Sequence, residues 1–183
     1  MSLLTYEQAR PWAKAIKEEV LERRMPPWGA VKGFGEFRDD PSLSQEEVLL
    51  LADWVEGGAP EGDPAYAPYE PDVEKAKPSP MPRGVTLKGS HMLSADVLLR
   101  AIRPESLSEG ASVRVIARRP DGSSEPLLWL REYKPKWRRS YTLRRPLALA
   151  KGTRIEVFPA DAGTLALVIS APPAPTAAPS PGR

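Results

Sequence analysis

Residues 111–131, ASVRVIARRPDGSSEPLLWLR, decide the fold of the larger part of this chain. Apolar and polar residues alternate along 111–119, and apolar residues dominate 125–131, which is typical of strands with a buried face. The two runs are separated by residues 120–123, PDGS, a sequence that favours a tight turn. The stretch therefore predicts two neighbouring antiparallel strands.

The same two-residue period extends from residue 85 to residue 170, with further turn signals such as residues 150–153, AKGT. Many short strands with regular turns are typical of an antiparallel β-sandwich. The predicted strands are 85–88, 96–103, 111–119, 125–131, 137–143, 153–158 and 164–170.

The N-terminal part has the 3.6-residue period of helices instead. Thr5 and Gln8 form a capping-box pattern that begins a first helix, and the prolines after Met25 end that helix near Arg24. A second capping box at residues 44–47 begins another helix, which ends at Gly57 and Gly58. Helices followed by a sandwich predict the fold class α+β.

Proline marks the boundaries of these two parts. Seven of the 22 prolines fall in residues 60–84, so we predict a Pro-rich linker or strap over 64–84. The helical domain is then 1–63 and the β-sandwich 85–170. Residues 171–183, APPAPTAAPSPGR, have the composition of a disordered tail.

Composition excludes several classes of chemistry. The 183 residues contain no cysteine and a single histidine, His91, which excludes disulfides, thiolate metal sites and any site that needs two imidazoles. No Ser/His/Asp set, phosphate-binding loop or zinc spacing is present, so we do not predict an enzyme. No apolar run is long enough for a membrane span, and the first 25 residues do not have the pattern of a signal peptide. The residues themselves leave the localisation open.

Charge is distributed unevenly along the chain. Residues 1–76 carry 16 acidic and 8 basic side chains, whereas residues 77–183 carry 8 and 18. Residues 131–145 hold seven basic side chains, one acidic side chain and three interleaved aromatic residues. Such a segment suits either nucleic acid or an acidic protein surface, and we favour the acidic protein. The candidate partner-binding residues are Arg131, Lys134, Lys136, Trp137, Arg138, Arg139, Arg144 and Arg145.

Three stretches of the N-terminal part occur in a familiar order: residues 2–12, SLLTYEQARPW; residues 24–28, RMPPW; and residues 43–60, which include WVEGGAP. Together they resemble the latter part of a c-type cytochrome domain of exported bacterial proteins. The resemblance implies electron transfer through haem c, a redox partner protein and a periplasmic or secreted location. It also implies that Met25 is the distal haem ligand.

This sequence departs from that family at the haem-attachment motif. The family has CxxCH just before the stretch that matches Ser2, and this chain has none, so as written it binds no haem c. Two explanations remain open. Met1 is an internal methionine of a longer gene product, or the domain has lost its haem. We favour the first because the resemblance starts abruptly.

The sandwich has a fainter resemblance of its own. The similarity is to the C-terminal domain of the copper-dependent, ascorbate-dependent monooxygenases. It is carried in order by residues 95–97, 114–115, 119–122, 125–128, 133, 137, 141–143 and 151–157. The copper site of that family needs an His-x-His pair. The matching region here, residues 103–110, reads RPESLSEG and has no histidine, so copper chemistry is not expected.

The sequence therefore supports two functional hypotheses. The first is a fragment or degenerate member of a c-type cytochrome family, with Met25 as the axial ligand only if CxxCH is supplied upstream. The second is a non-catalytic binding module that docks an acidic partner on the basic residues of 131–145. We also expect the helical part to expose Trp12, Trp28 and Trp54, because the resemblance places a haem and a further helix beside them.

Overall fold

A computed structural model of the protein describes residues 3–66 and 84–172. The described chain forms two compact units. The helical unit comprises residues 3–28 and 39–66, and the sandwich unit comprises residues 29–38 and 84–172. The fold class α+β with a β-sandwich is confirmed. Most of the predicted linker (67–83) and most of the predicted tail (173–183) lie outside the described residues.

The helical unit contains three α-helices: α1 (Tyr6–Ala9), α2 (Ala13–Leu21) and α3 (Gln45–Glu56). The sequence predicts one continuous first helix, whereas the structure has a 3-10 turn at Arg10–Trp12 between α1 and α2. Pro11 explains the interruption, because proline lacks the N–H that a helix interior needs. The first helical segment begins as predicted, since the Thr5 side chain accepts a hydrogen bond from the backbone N–H of Gln8.

Helix α3 has the bounds that its capping signals predict. The Ser44 side chain accepts from the N–H of Glu47, and the Glu47 carboxylate accepts from the N–H of Ser44. The helix ends at Gly57, and Gly58 follows in the left-handed region with φ 89°. Helices α2 and α3 pack against each other. Their buried residues are Ala13, Val20, Val48 and Ala52.

The sandwich unit consists of two four-stranded antiparallel sheets. Its strands are β1 (Val85–Leu87), β2 (Ser90–Met92), β3 (Val97–Leu107), β4 (Val113–Arg118), β5 (Ser124–Leu130), β6 (Tyr141–Leu149), β7 (Arg154–Phe158) and β8 (Gly163–Ser170). One sheet has the order β1-β8-β3-β6 and the other β2-β7-β4-β5. Alternation along β4 places the core. Val113, Val115 and Ala117 are fully buried, whereas Arg114 and Arg118 are exposed and Ile116 is half-buried.

Three strands differ from the sequence-based expectation. β3 runs on to Leu107, whereas its predicted end is residue 103. β2 was not predicted, because three residues with a mostly exposed pattern leave little periodicity to detect. The strand predicted at 137–143 begins at Tyr141 and runs on to Leu149, since Pro135 starts a 3-10 turn at Pro135–Trp137. In β6 the four residues 143–146 lie opposite Arg100 alone, between the pairs Leu99–Leu147 and Ala101–Thr142. This bulge hid the continuation of the strand beyond residue 143, because it interrupts the two-residue period.

Residues 29–38 pair with the outermost strands of both sheets, and we call them the edge segment. Ala30 bridges Leu130 of β5, and the N–H of Val31 donates to the Trp129 carbonyl at 2.8 Å. Phe37 bridges Leu143 of β6. The sequence predicts this stretch as part of the helical domain 1–63, whereas it folds with the sandwich. Exposed strand edges invite pairing with other chains, and the edge segment occupies part of both.

A tight turn joins the two ends of the edge segment. The N–H of Phe34 donates to the Val31 carbonyl at 3.2 Å, and Gly35 follows with φ 79°. A Cβ at Gly35 would lie 2.4 Å from the Leu127 carbonyl oxygen. The backbone therefore approaches β5 so closely that only glycine fits without movement.

No helix in the described parts of the chain has the length and apolar character needed to cross a bilayer.

Candidate binding surfaces and the candidate haem ligand

The basic segment forms the loop between β5 and β6 and part of β6 itself. Tyr133 anchors the loop: its carbonyl accepts from the N–H of Gly110 at 2.8 Å, and its own N–H donates to the Ala111 carbonyl at 2.9 Å. Beyond this anchor, the Lys134 ammonium lies 4.7 Å from the centroid of the Trp137 ring. The loop is therefore held at its base and presents a cation–aromatic pair.

Most of the charged side chains of this segment reach solvent. We define the basic surface as Arg131, Lys134, Lys136, Trp137, Arg138, Arg139, Arg144 and Arg145. Lys134, Trp137 and Arg139 are half-buried, and the other five are exposed. Arg131 lies 3.6 Å from Glu132, and Arg138 Nε donates to the Pro104 carbonyl at 3.2 Å. Within the described residues, Lys136, Arg144 and Arg145 form no ion pair.

The aromatic residues of this segment divide into two groups. Tyr133 and Tyr141 are buried, with 3% and 1% of their surface exposed, and Trp137 alone of the three is half-buried. Stacking nucleic-acid bases requires accessible aromatic faces, so two of the three rings are unsuited to it. Both tyrosines belong to the buried core instead.

Tyr141 sits where the edge segment meets the core. Its ring makes an edge-on contact with Phe37, with centroids 5.6 Å apart. Burial raises the pKa of Tyr141 to about 12, although the charge of Arg139 and a hydrogen bond from the Gly29 backbone act in the opposite direction. Burial likewise raises the pKa of Tyr133. The Tyr141 hydroxyl is therefore a neutral structural group at ordinary pH.

Met25 lies just after α2 in the helical unit. Its backbone N–H donates to the Glu19 carbonyl at 3.1 Å, and 37% of its surface is exposed. A thioether is a soft ligand suited to haem iron, and this one is accessible. The single histidine, His91, lies on β2 of the sandwich unit and is half-buried.

The helical unit exposes a large share of its apolar surface. Among the described residues, eleven large hydrophobic side chains are exposed, and eight of them belong to this unit. They are Leu3, Leu4, Trp12, Leu21, Met25, Leu49, Leu50 and Tyr66. Of the three tryptophans expected to be exposed, Trp12 is exposed, Trp54 is half-buried and Trp28 is buried. The expectation for Trp28 was therefore wrong.

Residues 103–110, where the monooxygenase resemblance would place a copper strand, begin with an ion pair. Arg103 of β3 is 8% exposed, and its guanidinium lies 2.8 Å from the Glu105 carboxylate. Across the described residues, no three histidine or acidic side chains gather in a way that could hold a metal ion. The geometry here is that of a structural arginine.

Sequence reasoning missed a cleft on the outer face of the β2-β7-β4-β5 sheet. The cleft has a volume of about 560 Å³ and is lined by Ser112, Arg114, Trp129, Phe158 and Pro159. Alternation along β4 already places Arg114 outward, but only the strand register shows which side chains stand beside it.

Comparisons with protein-family models, with curated proteins and with solved structures find nothing that matches this chain.

Proposed function

We propose that this chain is a non-catalytic binding module whose basic surface docks an acidic protein. The observation that carries the proposal is the exposure of Lys136, Arg144 and Arg145 without an acidic partner in the described residues. Exposed basic side chains at a protein–protein rim steer an acidic partner and set its orientation.

An acidic protein is favoured over nucleic acid because the surface offers charge with little stacking area. Trp137 is half-buried and already faces the Lys134 ammonium, while Tyr133 and Tyr141 are buried. Single-stranded nucleic acid gains much of its affinity from stacked bases. Carboxylates, by contrast, need only accessible cations, and arginine binds them through two parallel hydrogen bonds.

The test measures binding of the full chain to poly-L-glutamate and to an oligothymidylate of similar charge. We expect poly-L-glutamate to bind with an affinity that falls as salt rises, and we expect the triple variant Lys136→Gln, Arg144→Gln and Arg145→Gln to bind at least about tenfold more weakly. The matched control neutralises three exposed arginines elsewhere on the sandwich, Arg100, Arg118 and Arg154.

Three results would count against this function. Equal losses in the triple variant and its control would show that net charge alone drives binding. Tighter binding of the oligothymidylate would favour nucleic acid. No binding of either polymer at low salt would leave the basic surface without its proposed role.

A second candidate function is electron transfer, the role that the cytochrome resemblance implies. It is favoured by the exposed apolar side chains of the helical unit, with Met25 among them. Haem c is attached through cysteine thiols, and this chain contains none, so its own residues do not fit covalent haem. The chain can contribute the Met25 thioether, and a segment from elsewhere would have to carry the haem.

Microperoxidase, a short haem peptide that carries its own CxxCH, tests this candidate directly. If Met25 is an axial ligand, adding the chain changes the visible spectrum of the peptide to that of methionine-ligated haem. Met25→Ala abolishes the change. Met92→Ala is the matched control, because Met92 is more exposed, at 55%, and lies in the sandwich. A spectrum unchanged by the chain, or equally affected by both variants, would rule against Met25 as ligand.

A further inference from the structure

Three side chains form one row across the outer face of the β2-β7-β4-β5 sheet. Arg114 of β4 lies directly opposite Trp129 of β5 on one side and Phe158 of β7 on the other. Opposed residues of neighbouring strands point to the same face. Because Val113 and Val115 are fully buried, the whole row points away from the core and into the 560 Å³ cleft.

Arg114 differs from the next outward arginine on its own strand. Arg118 forms an ion pair with Glu156 at 2.7 Å. Arg114 is exposed and, among the described residues, has neither an ion pair nor a hydrogen-bond partner for its guanidinium. The nearby acid Glu132 faces Arg131 instead. The cleft therefore offers a planar cation that no carboxylate of the described chain neutralises.

The two rings beside Arg114 give the cleft apolar walls. Phe158 is 38% exposed, and Trp129 is half-buried. Phe34 of the edge segment meets Trp129 edge-on, with centroids 5.0 Å apart and planes at 68°. That contact restrains the indole, which also lines the cleft. The volume falls within the range of small-ligand sites.

We propose that this cleft binds a small carboxylic acid that carries an aromatic ring. The Arg114 guanidinium takes the carboxylate in the planar, two-point geometry that suits it. Trp129 and Phe158 cover the ring through offset or edge-on contacts. The cleft is distinct from the basic surface: no residue of that surface lines it, and its ligand needs a ring as well as a charge.

The probe is phenylacetate, followed by NMR at the Trp129 indole N–H of the full chain. We expect that resonance to shift with a dissociation constant of about 1 mM, because a ligand of about ten heavy atoms in an open cleft binds weakly. Acetate, which lacks the ring, and phenylacetamide, which lacks the charge, should each bind at least about tenfold more weakly.

The variants distinguish binding in the cleft from a general attraction of the carboxylate to exposed positive charge. Arg114→Gln should weaken phenylacetate binding about tenfold or more, and Phe158→Leu several-fold. Arg154→Gln is the matched control: this arginine is equally exposed on the same face, two rows away, and its loss should leave binding unchanged. All three residues are exposed, so the remaining amide spectrum should superpose on that of the unaltered protein.

The proposal is overturned if acetate or phenylacetamide binds as well as phenylacetate. It is equally overturned if Arg154→Gln weakens phenylacetate binding as much as Arg114→Gln does. Absence of any shift at the Trp129 indole up to about 20 mM phenylacetate, well above the expected constant, would also overturn it.

Discussion

The two units of this chain differ in how far their large apolar side chains are exposed to solvent. In the sandwich unit, Leu99, Ile102, Leu128, Ile155 and Leu165 are all 0% exposed. In the helical unit, Leu49 and Leu50 of α3 are 49% and 71% exposed, and Trp12 is 49% exposed. The sandwich unit thus contains a fully buried core, whereas large apolar side chains of the helices reach solvent.

The size of the elements explains the contrast. Two four-stranded sheets enclose a core between them, and the edge segment pairs with strands of both. Helices α2 and α3 have nine and twelve residues, and two short helices can bury only one stripe each. An apolar surface that remains exposed calls for a further covering element.

The largest expected effect is a matched pair of leucine truncations, one in each unit. Leu128→Ala removes a 0% exposed side chain from the sandwich core and should lower the free energy of unfolding by about 2–5 kcal/mol. Leu50→Ala removes a 71% exposed side chain and should change it by less than about 0.5 kcal/mol. Urea-induced unfolding of the full chain measures both. A comparable loss for Leu50→Ala would mean that this surface is covered in solution.

The edge segment supplies the next prediction. Gly35→Ala should lower the free energy of unfolding by about 2–4 kcal/mol, because it combines a positive φ with a backbone clash against Leu127. Gly33 also has a positive φ, of 88°, but its Cβ would meet nothing within 4 Å. Gly33→Ala should therefore cost about 1 kcal/mol.

The same urea titrations, read at the Trp129 indole, decide whether the edge segment belongs to the sandwich. If Gly33→Ala and Gly35→Ala lowered the free energy of unfolding equally, the close approach of Gly35 to β5 would be absent in solution. The assignment of residues 29–38 to the sandwich unit would then lose its support.

Alkaline pH probes the core of the sandwich through Tyr141. The folded pKa of about 12 exceeds the unfolded value of about 10. The fold therefore favours the neutral hydroxyl. This stabilisation is complete below pH 10 and is lost as the pH rises through 12, and the loss is about 2–3 kcal/mol. Tyr141→Phe should flatten the free energy of unfolding between pH 10 and 12.

Tyr66 provides the control for this titration, because it is 87% exposed and lies in the helical unit. Tyr66→Phe should leave the pH dependence as it is in the unaltered protein. If Tyr141→Phe had no more effect than Tyr66→Phe, the Tyr141 hydroxyl would be accessible to solvent, contrary to the structure.

The smallest effect concerns the helical unit. Ser44→Ala removes the N-cap of α3 and should lower the stability of that helix by about 1 kcal/mol, whereas Ser44→Gly should cost only a few tenths. Hydrogen exchange of the α3 amides measures this loss of stability within the helix itself. Amides of β4 should be unaffected if the units unfold separately. A parallel loss of protection in β4 would show that the two units unfold together.

Local signals in the sequence determined much of what the structure contains. The caps at Thr5 and Ser44 and the helix end at Gly57 depend on hydrogen bonds within one helical turn. The sequence therefore predicts them without tertiary information. Alternation around the PDGS turn predicted β4 and β5 within a residue or two. The sequence also shows the basic residues as one cluster, but the predicted strand 137–143 puts Trp137, Arg138 and Arg139 in a strand, whereas they precede β6. The cytochrome and monooxygenase resemblances stay predictions.

Tertiary structure decided the remainder, because it depends on residues far apart in the chain. Residues 29–38 carry no strong period, and only pairing with β5 and β6 makes them part of the sandwich. The bulge in β6 interrupts the period that would have revealed the second half of that strand. The row of Trp129, Arg114 and Phe158 exists only through the register of three strands. The sequence by itself determined the elements and their charges, and the register, which long-range hydrogen bonds set, decided which side chains stand together.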